Sequence, residues 1–342
     1  MAHAVCACVR NSLFSISAAA AGAGVVAYIL TRPKADLRGQ TVLITGGSRG
    51  LGLALAREFA GEGCRLMLCA RDTTELNRAA ANLAAEGAEV RTAACDVADR
   101  TGVAQLVAET IAHYGRLDIL VNNAGVIQVG PVSAMTLEDF EDAMDTMFWG
   151  MVHTTMAALP HLGQGSRIVN ITSIGGKVAV PHLLPYSCAK FAAVAFSEGM
   201  RAELRERDIQ VTTIAPGLMR TGSHMNAQFK GDAGREAALF SLAASLPLVS
   251  MDAGRAARQI VTAVRRGRAE RTLTPQASLA ARFHGMFPGA TAEILGLVNR
   301  LLPHSSDRAT STRGRDTTAL RNPLISALTV LGRTAARRYL QV

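Results

Sequence analysis

Short apolar runs rich in Val, Ile, Leu and Thr recur between residues 41 and 275, with helix-length stretches between them. The runs are TVLIT (41–45), RLMLCA (65–70), VRTAA (90–94), LDILV (117–121), RIVNIT (167–172), QVTTIA (210–215) and RTLTP (271–275). Continuous rather than alternating apolar runs, each followed by a helical pattern, predict parallel strands covered on both faces. The expected fold class is therefore α/β, a Rossmann-type doubly wound parallel sheet in one main domain over 37–276. Beyond it, an amphipathic stretch runs to Pro303, and a polar segment (304–318) reads as a flexible loop. A last helix then starts at Pro323 behind Asn322, with Leu324, Ile325, Leu328 and Leu331 on its apolar positions. Residues 277–342 thus form a helical C-terminal extension, expected to serve packing or a partner rather than chemistry.

The first 36 residues differ in kind. From 11 to 31 the chain carries no charge, with Arg10 before it and Arg32, Lys34 and Arg38 after it. That length suffices to cross a bilayer, and the excess of basic residues after it would keep the main domain cytoplasmic. Its Ala, Gly and Ser content also suits a cleaved signal or a surface helix, so three readings stand for this hydrophobic N-terminal segment.

Composition narrows the function. Of 342 residues 49% are hydrophobic and 18% charged, as in a globular chain with ample core. The net charge is +9, but only four of the 36 basic residues are Lys, leaving 32 Arg. Aromatics at 4% provide few platforms for stacking bases, which argues against nucleic acid. The six cysteines (Cys6, Cys8, Cys64, Cys69, Cys95 and Cys188) have neither paired spacing nor a histidine cluster, so no metal site and a reducing compartment are expected.

Chemistry enters at TGGSRGLG (45–52). A strand that breaks at Gly46 and resumes as a helix near Leu51, with Gly46, Gly50 and Gly52 between, suits an anion, because helix N-terminal N–H groups face the turn. The second strand ends in Ala70, Arg71 and Asp72, where a doubly wound fold meets the adenosine ribose. An acid there would suit a 2′-hydroxyl. Ala70 followed by Arg71, with Arg49 as a second cation, suits a 2′-phosphate and favours NADP(H), unless Arg71 merely pairs with Asp72. Further on, Tyr186 lies four residues before Lys190, so both share one helix face.

Taken in order, TGGSRGLG (45–52), CDV (95–97), NNAG (122–125), Ser173, YSCAK (186–190) and PGLMRT (216–221) resemble the classical short-chain dehydrogenases/reductases over about 240 residues. The resemblance implies hydride exchange between nicotinamide and a small carbonyl or alcohol, with Ser173 holding the reactive oxygen and Tyr186 passing its proton. Lys190 would bond the nicotinamide ribose and, with the oxidised ring, draw the phenol toward working pH. It further implies that Gly46, Ser48, Arg49, Gly50, Leu51, Gly52, Arg71, Asp96 and Val97 meet the adenosine and phosphates. Asn123, Ala124 and Gly125 would contribute backbone, while Pro216, Gly217 and Thr221 serve the nicotinamide side. A homo-oligomer is also implied. The region from Met219 to about Leu248, with Met225, Phe229, Leu239, Phe240 and Leu242, resembles a variable substrate lid, although core packing would use the same residues. An apolar lid suggests a lipophilic substrate. His182 would face either the substrate or solvent. A non-catalytic NADP(H)-binding scaffold or redox sensor is the alternative function.

One departure stands out: Met147 occupies the position, three before Gly150, where the family carries an asparagine that supports a relay water. A thioether does not replace an amide's hydrogen bonds. Met147→Asn is therefore expected to leave turnover equal or higher; a large loss in a variant that still folds would show that the position has another role.

Overall fold

All five residues of the run 41–45 are buried, the signature of a strand with helices on both sides. The structure, a computed structural model, describes residues 34–304 and 311–342. The uncharged segment 11–31 lies outside them, as do Cys6 and Cys8. β1 (Thr41–Thr45), β2 (Arg65–Ala70), β3 (Val90–Ala94), β4 (Ile119–Asn122), β5 (Arg167–Ile171), β6 (Gln210–Ala215) and β7 (Glu270–Thr272) form one parallel sheet. Their spatial order is β7-β6-β5-β4-β1-β2-β3. The order reverses between β1 and β4, and such a reversal opens a crevice at the carboxyl ends of the two strands. β5 is also wholly buried, whereas β3, at the sheet edge, is partly exposed.

Eight helices connect or flank these strands: α1 (Gly50–Gly61), α2 (Thr73–Ala85), α3 (Arg100–Tyr114), α4 (Leu137–Met144), α5 (Gly150–Ala158), α6 (Leu184–Glu203), α7 (Ala233–Ser245) and α8 (Ala253–Arg265). Local chemistry sets their limits. Asp72 accepts from the Glu75 N–H at the start of α2, Asp99 accepts from the Thr101 N–H at the start of α3, and Gly115 ends α3 in the left-handed region. Leu43, Met67, Leu120, Ile168 and Val211, one from each of five neighbouring strands, share a core cluster with Val103, Leu106 and Val107 of α3. α1 packs on α8, and α4 packs on α6. Between α4 and α5 lies one π turn, Asp145–Trp149.

The region beyond 276 differs from expectation in two places: the single last helix expected from Pro323 is two helices parted at Thr329, and part of the polar segment pairs with a strand. α9 (Pro275–Met286) and α10 (Pro288–Asn299) precede the polar segment, and α11 (Pro323–Leu328) and α12 (Val330–Arg338) follow it. Within the segment read as a loop, however, Thr312–Arg313 pair antiparallel with Gln228–Phe229, and Gly314 and Thr317 are buried. Backbone pairing with a distant strand orders this stretch, and a polar sequence gives no local sign of it. Among the described residues no helix is long and apolar enough to cross a membrane.

A buried polar seam locks α6 to the sheet. Asn122 donates to Asn170 (2.8 Å) and Thr155 (3.0 Å) and accepts from Thr154 (2.6 Å). Asn170 in turn donates to Ser197 of α6 (2.9 Å), whose hydroxyl meets Thr213 (2.7 Å). Each of these residues is at most 4% exposed, so none has water as a substitute partner. Asn170→Leu leaves Asn122 and Ser197 each one bond short and is expected to cost about 2–3 kcal/mol; urea unfolding of the variant against the wild-type chain measures it.

Candidate active site

The crevice predicted by the strand order is present as a cleft of about 610 Å³. Its floor begins where β1 gives way to the glycine loop. Gly46 and Gly50 have φ of +63° and +59°, and a Cβ at Gly52 would run into the Gly46 carbonyl and lie 2.7 Å from Asn123 Nδ2. Only glycine permits that close approach. The Asn123 side chain fixes the loop by donating to the carbonyls of Thr45 (2.9 Å) and Gly46 (3.1 Å), a role beyond the backbone contact expected of it. α1 starts behind Arg49 with no side-chain cap and no acid in its first turn; its Gly50 N–H is held by the Tyr339 carbonyl, while the rest of its positive end faces the cleft. A tight glycine turn, a helix N-terminus without a side-chain cap and a cleft of this size fit a dinucleotide.

Gly46, Ser48, Arg49, Gly50, Leu51 and Gly52 line this cleft together with Arg71, Asp96 and Val97. Asn123, Ala124, Gly125, Tyr186, Lys190 and Thr221 line it as well. Pro216 and Gly217 do not: the Pro216 carbonyl accepts from Ile174 N–H, and a Cβ on Gly217 would meet Thr274 Oγ1 at 2.8 Å. At the adenosine end both arginines already hold carboxylates. Arg71 faces Asp96 at 3.7 Å rather than Asp72, which is engaged as the cap of α2, while Arg49 meets Glu75 at 2.5 Å. Ser48 also donates to Glu75 (3.2 Å). Glu75 was not singled out from the sequence, although its place three residues after the capping Asp72 brings it into the first turn of α2, facing the loop.

Ser173, Tyr186 and Lys190 come together at the end of β5. The Ser173 hydroxyl accepts from the Gly175 N–H (3.0 Å) and lies beside the Tyr186 phenol, and Lys190, 4% exposed, donates to the Ile171 carbonyl (2.9 Å). The Lys190 nitrogen stands 5.8 Å from the centre of the Tyr186 ring. Burial raises the Tyr186 phenol above its ordinary value, and the Ser173 hydrogen bond opposes that rise. The same dry surroundings pull the Lys190 ammonium down from 10.5 to about 8. The downward shift expected of Tyr186 is therefore not present in the protein alone, because desolvation outweighs its neighbours.

Met147, 1% exposed, packs with Ala143, Ala189 and Tyr186, and its sulfur stands 3.6 Å from where a Gly125 Cβ would be. Trp149, two residues on in the π turn, stacks on His153 with ring centres 6.2 Å apart. His182 faces neither substrate nor solvent freely: it is buried, with Nδ1 2.6 Å from the buried Glu236 carboxylate of α7. This pair ties the loop between Ser173 and Tyr186 to α7. The same loop borders a second cavity of about 650 Å³, with Pro131, Val132, Val180, Pro181 and Leu184 in its wall. Of the lid residues, Phe229 belongs to a buried cluster with Val129, Ala227 and Ala237, and only Leu239 of the five named is largely exposed. From beyond residue 276, Arg313, Arg315 and Gln341 also line the dinucleotide-sized cleft.

Comparison with known proteins agrees with this geometry. The sequence model of the family described as short chain dehydrogenase matches residues 40–231. The chain is 36% identical over 205 residues to the rat protein named dehydrogenase/reductase SDR family member 7B, a match spanning 58% of this chain and 63% of that protein's length. Among solved structures, a short-chain dehydrogenase/reductase from Burkholderia phymatum in complex with NAD superposes with a TM-score of 0.67 at 23% identity, covering 75% of this chain and 96% of that one. The L-sorbose reductase of Gluconobacter frateurii, complexed with NADPH and L-sorbose, gives 0.63 at 25% identity and covers 70% and 97%.

The depressed Lys190 value has a consequence for stability. Between pH 8 and 10.5 the unfolded chain keeps a proton on this side chain that the folded one has released, so this group makes folding more favourable as pH rises. The cofactor-free protein should therefore gain stability relative to Lys190→Met between about pH 8 and pH 10. Paired denaturant titrations across that range would show a constant difference if the ammonium were not held in a dry site.

Proposed function

The chain belongs to the short-chain dehydrogenases, and from that premise we propose that it is an NADP(H)-dependent oxidoreductase acting on a lipophilic ketone, aldehyde or secondary alcohol. The observation that carries the reading is Ser173 beside Tyr186, with Tyr186 and the buried Lys190 lining the same cleft as the glycine loop and the start of α1. The bound cofactor would supply or accept the hydride at its nicotinamide ring. Tyr186 transfers a proton to or from the substrate oxygen, and Ser173 steadies that oxygen with its hydroxyl. Lys190 uses one of its three N–H bonds on Ile171, which leaves donors for a ribose hydroxyl and a positive charge that favours the phenolate. The glycine loop and Asp96 hold the adenosine half, and Thr221 holds the nicotinamide end.

Arg49 and Arg71 support the phosphorylated dinucleotide. The Arg71–Asp96 pair is long and mostly exposed, so it contributes under about 1 kcal/mol and yields readily to a phosphate dianion. The apolar wall of the second cavity supports a lipophilic substrate. Exposed Trp149, Met156 and Phe191, on the π turn, α5 and α6, support a homo-oligomer. The uncharged segment 11–31, followed by basic residues, supports attachment to a membrane with this domain on the cytoplasmic side. Met147, in place of a relay amide, favours the second reading, a dinucleotide-binding scaffold or redox sensor without turnover.

NADPH consumption by the purified chain, screened against steroid, retinoid, long-chain acyl and small aromatic carbonyls, separates the two. Turnover on at least one class is expected, and Tyr186→Phe should lower kcat by at least about 10²-fold while NADPH still binds. Full activity in that variant excludes the assigned proton donor, and binding without oxidation across the whole panel favours the scaffold.

A further inference from the structure

The family match ends at residue 231, yet three side chains from beyond residue 310 reach the cleft. α12 is docked closely enough that a Cβ on Gly222 would run into Ala336. Residues 339–342 then run past the glycine loop, with Gln341 lining the cleft. The Arg338 carbonyl accepts from Arg57 of α1 (3.2 Å), and main-chain oxygens of Leu340 and Val342 accept from Arg78 of α2 (3.1 and 3.2 Å). On the opposite side, Asn226 donates to the Gln341 backbone carbonyl (2.9 Å) and side-chain oxygen (2.6 Å). The segment thus bridges the adenosine wall and the wall that follows Thr221.

Its contacts determine what it presents to a ligand. The Tyr339 carbonyl accepts from Gly50 N–H (2.8 Å), which takes the first amide of α1 away from any anion. Gln341 returns a donor at the same place. Arg315 has only donors, so its bond to Asn226 (2.5 Å) requires the Asn226 oxygen to face it. The Asn226 nitrogen therefore faces Gln341 and must meet its oxygen. Gln341 Nε2 is left pointing at the glycine loop, where a Cβ on Gly50 would run into it. Gln341 is 7% exposed, and this nitrogen has no hydrogen-bond partner among the described residues. Arg315 bonds a neutral amide rather than a carboxylate, so that contact leaves its charge available.

We propose that residues 339–342 and Arg315 form a strap over the dinucleotide cleft, with the Gln341 amide and the Arg315 guanidinium binding the cofactor pyrophosphate. The assignment rests on the dinucleotide reading above. A strap that closes both walls slows cofactor release more than it slows entry, because its contacts to the phosphates are made once the ligand is seated.

The test is fluorescence titration and stopped-flow release of NADPH, with NADH in parallel, on the full chain and on Gln341→Ala, Gln341→Glu and Arg315→Ala. Each variant should weaken NADPH by about tenfold or more, mostly through faster release, and Gln341→Glu most of all because it sets a carboxylate against the phosphates. Adenosine 2′,5′-bisphosphate lacks the pyrophosphate bridge, so its affinity should change by less than about twofold. Gln341→Glu keeps the size and the Asn226 contact, which separates a lost ligand bond from a lost fold; circular dichroism and melting of each variant check the latter. Unchanged or tighter NADPH binding in the glutamine variants overturns the strap, and tighter binding would mark these residues as a plug. Absence of any dinucleotide binding by the wild-type chain overturns the cofactor reading and the strap with it.

Discussion

Everything at the catalytic end depends on where one ammonium can find an acceptor. Lys190 is buried on α6, and the carbonyl it reaches belongs to Ile171, the last residue of β5. That bond sets the height of α6 against the sheet, and Tyr186 lies one turn earlier on the same helix, so its ring is positioned by the same contact. Two turns further along, Asn170 and Ser197 repeat the restraint with neutral groups. Helix and strand are thus held by polar bonds that tolerate little sliding, whereas apolar packing alone would accept several nearby arrangements. The price of this arrangement is a lysine whose charge is costly to keep.

The cleft is strongly cationic in sequence but less so in space. Glu75 and Asp96 face Arg49 and Arg71, and Ser48 turns toward the same Glu75. The adenosine end is therefore a set of ion pairs that a phosphate must rearrange, not a pair of bare guanidiniums. Under the proposed function, selectivity between the two dinucleotides would depend on how readily Glu75 releases Arg49, which burial of that pair makes harder than for the exposed Arg71.

Most of the sheet was legible because its signal is local and redundant. Each apolar run is bounded by turn residues, and glycine spacing marks the one loop that must approach a helix closely. Strand β4 begins at Ile119, later than its apolar run, and Asp118 just before it accepts from the Thr41 N–H. The triad of Ser173, Tyr186 and Lys190 was legible only as a resemblance, since nothing in their spacing reveals which carbonyl would receive the lysine. What could not be read depends on contacts between distant segments. His182 gave no hint of Glu236, 54 positions away, and nothing in the polar stretch before Thr317 announced pairing with Gln228–Phe229. The approach of Gln341 to the glycine loop is equally a property of the fold.

The π turn between α4 and α5 offers a practical dividend. It carries Trp149, the sole indole in the sequence, two positions from the Met147 thioether that packs on Tyr186. Trp149 is 46% exposed, stacked on His153 and in edge contact with Phe148 at 5.0 Å. Its emission comes from one known place, two residues from Met147, and is sensitive to how that turn is wound. The protein thereby contains its own optical probe of this π turn, readable without a label or a mutation.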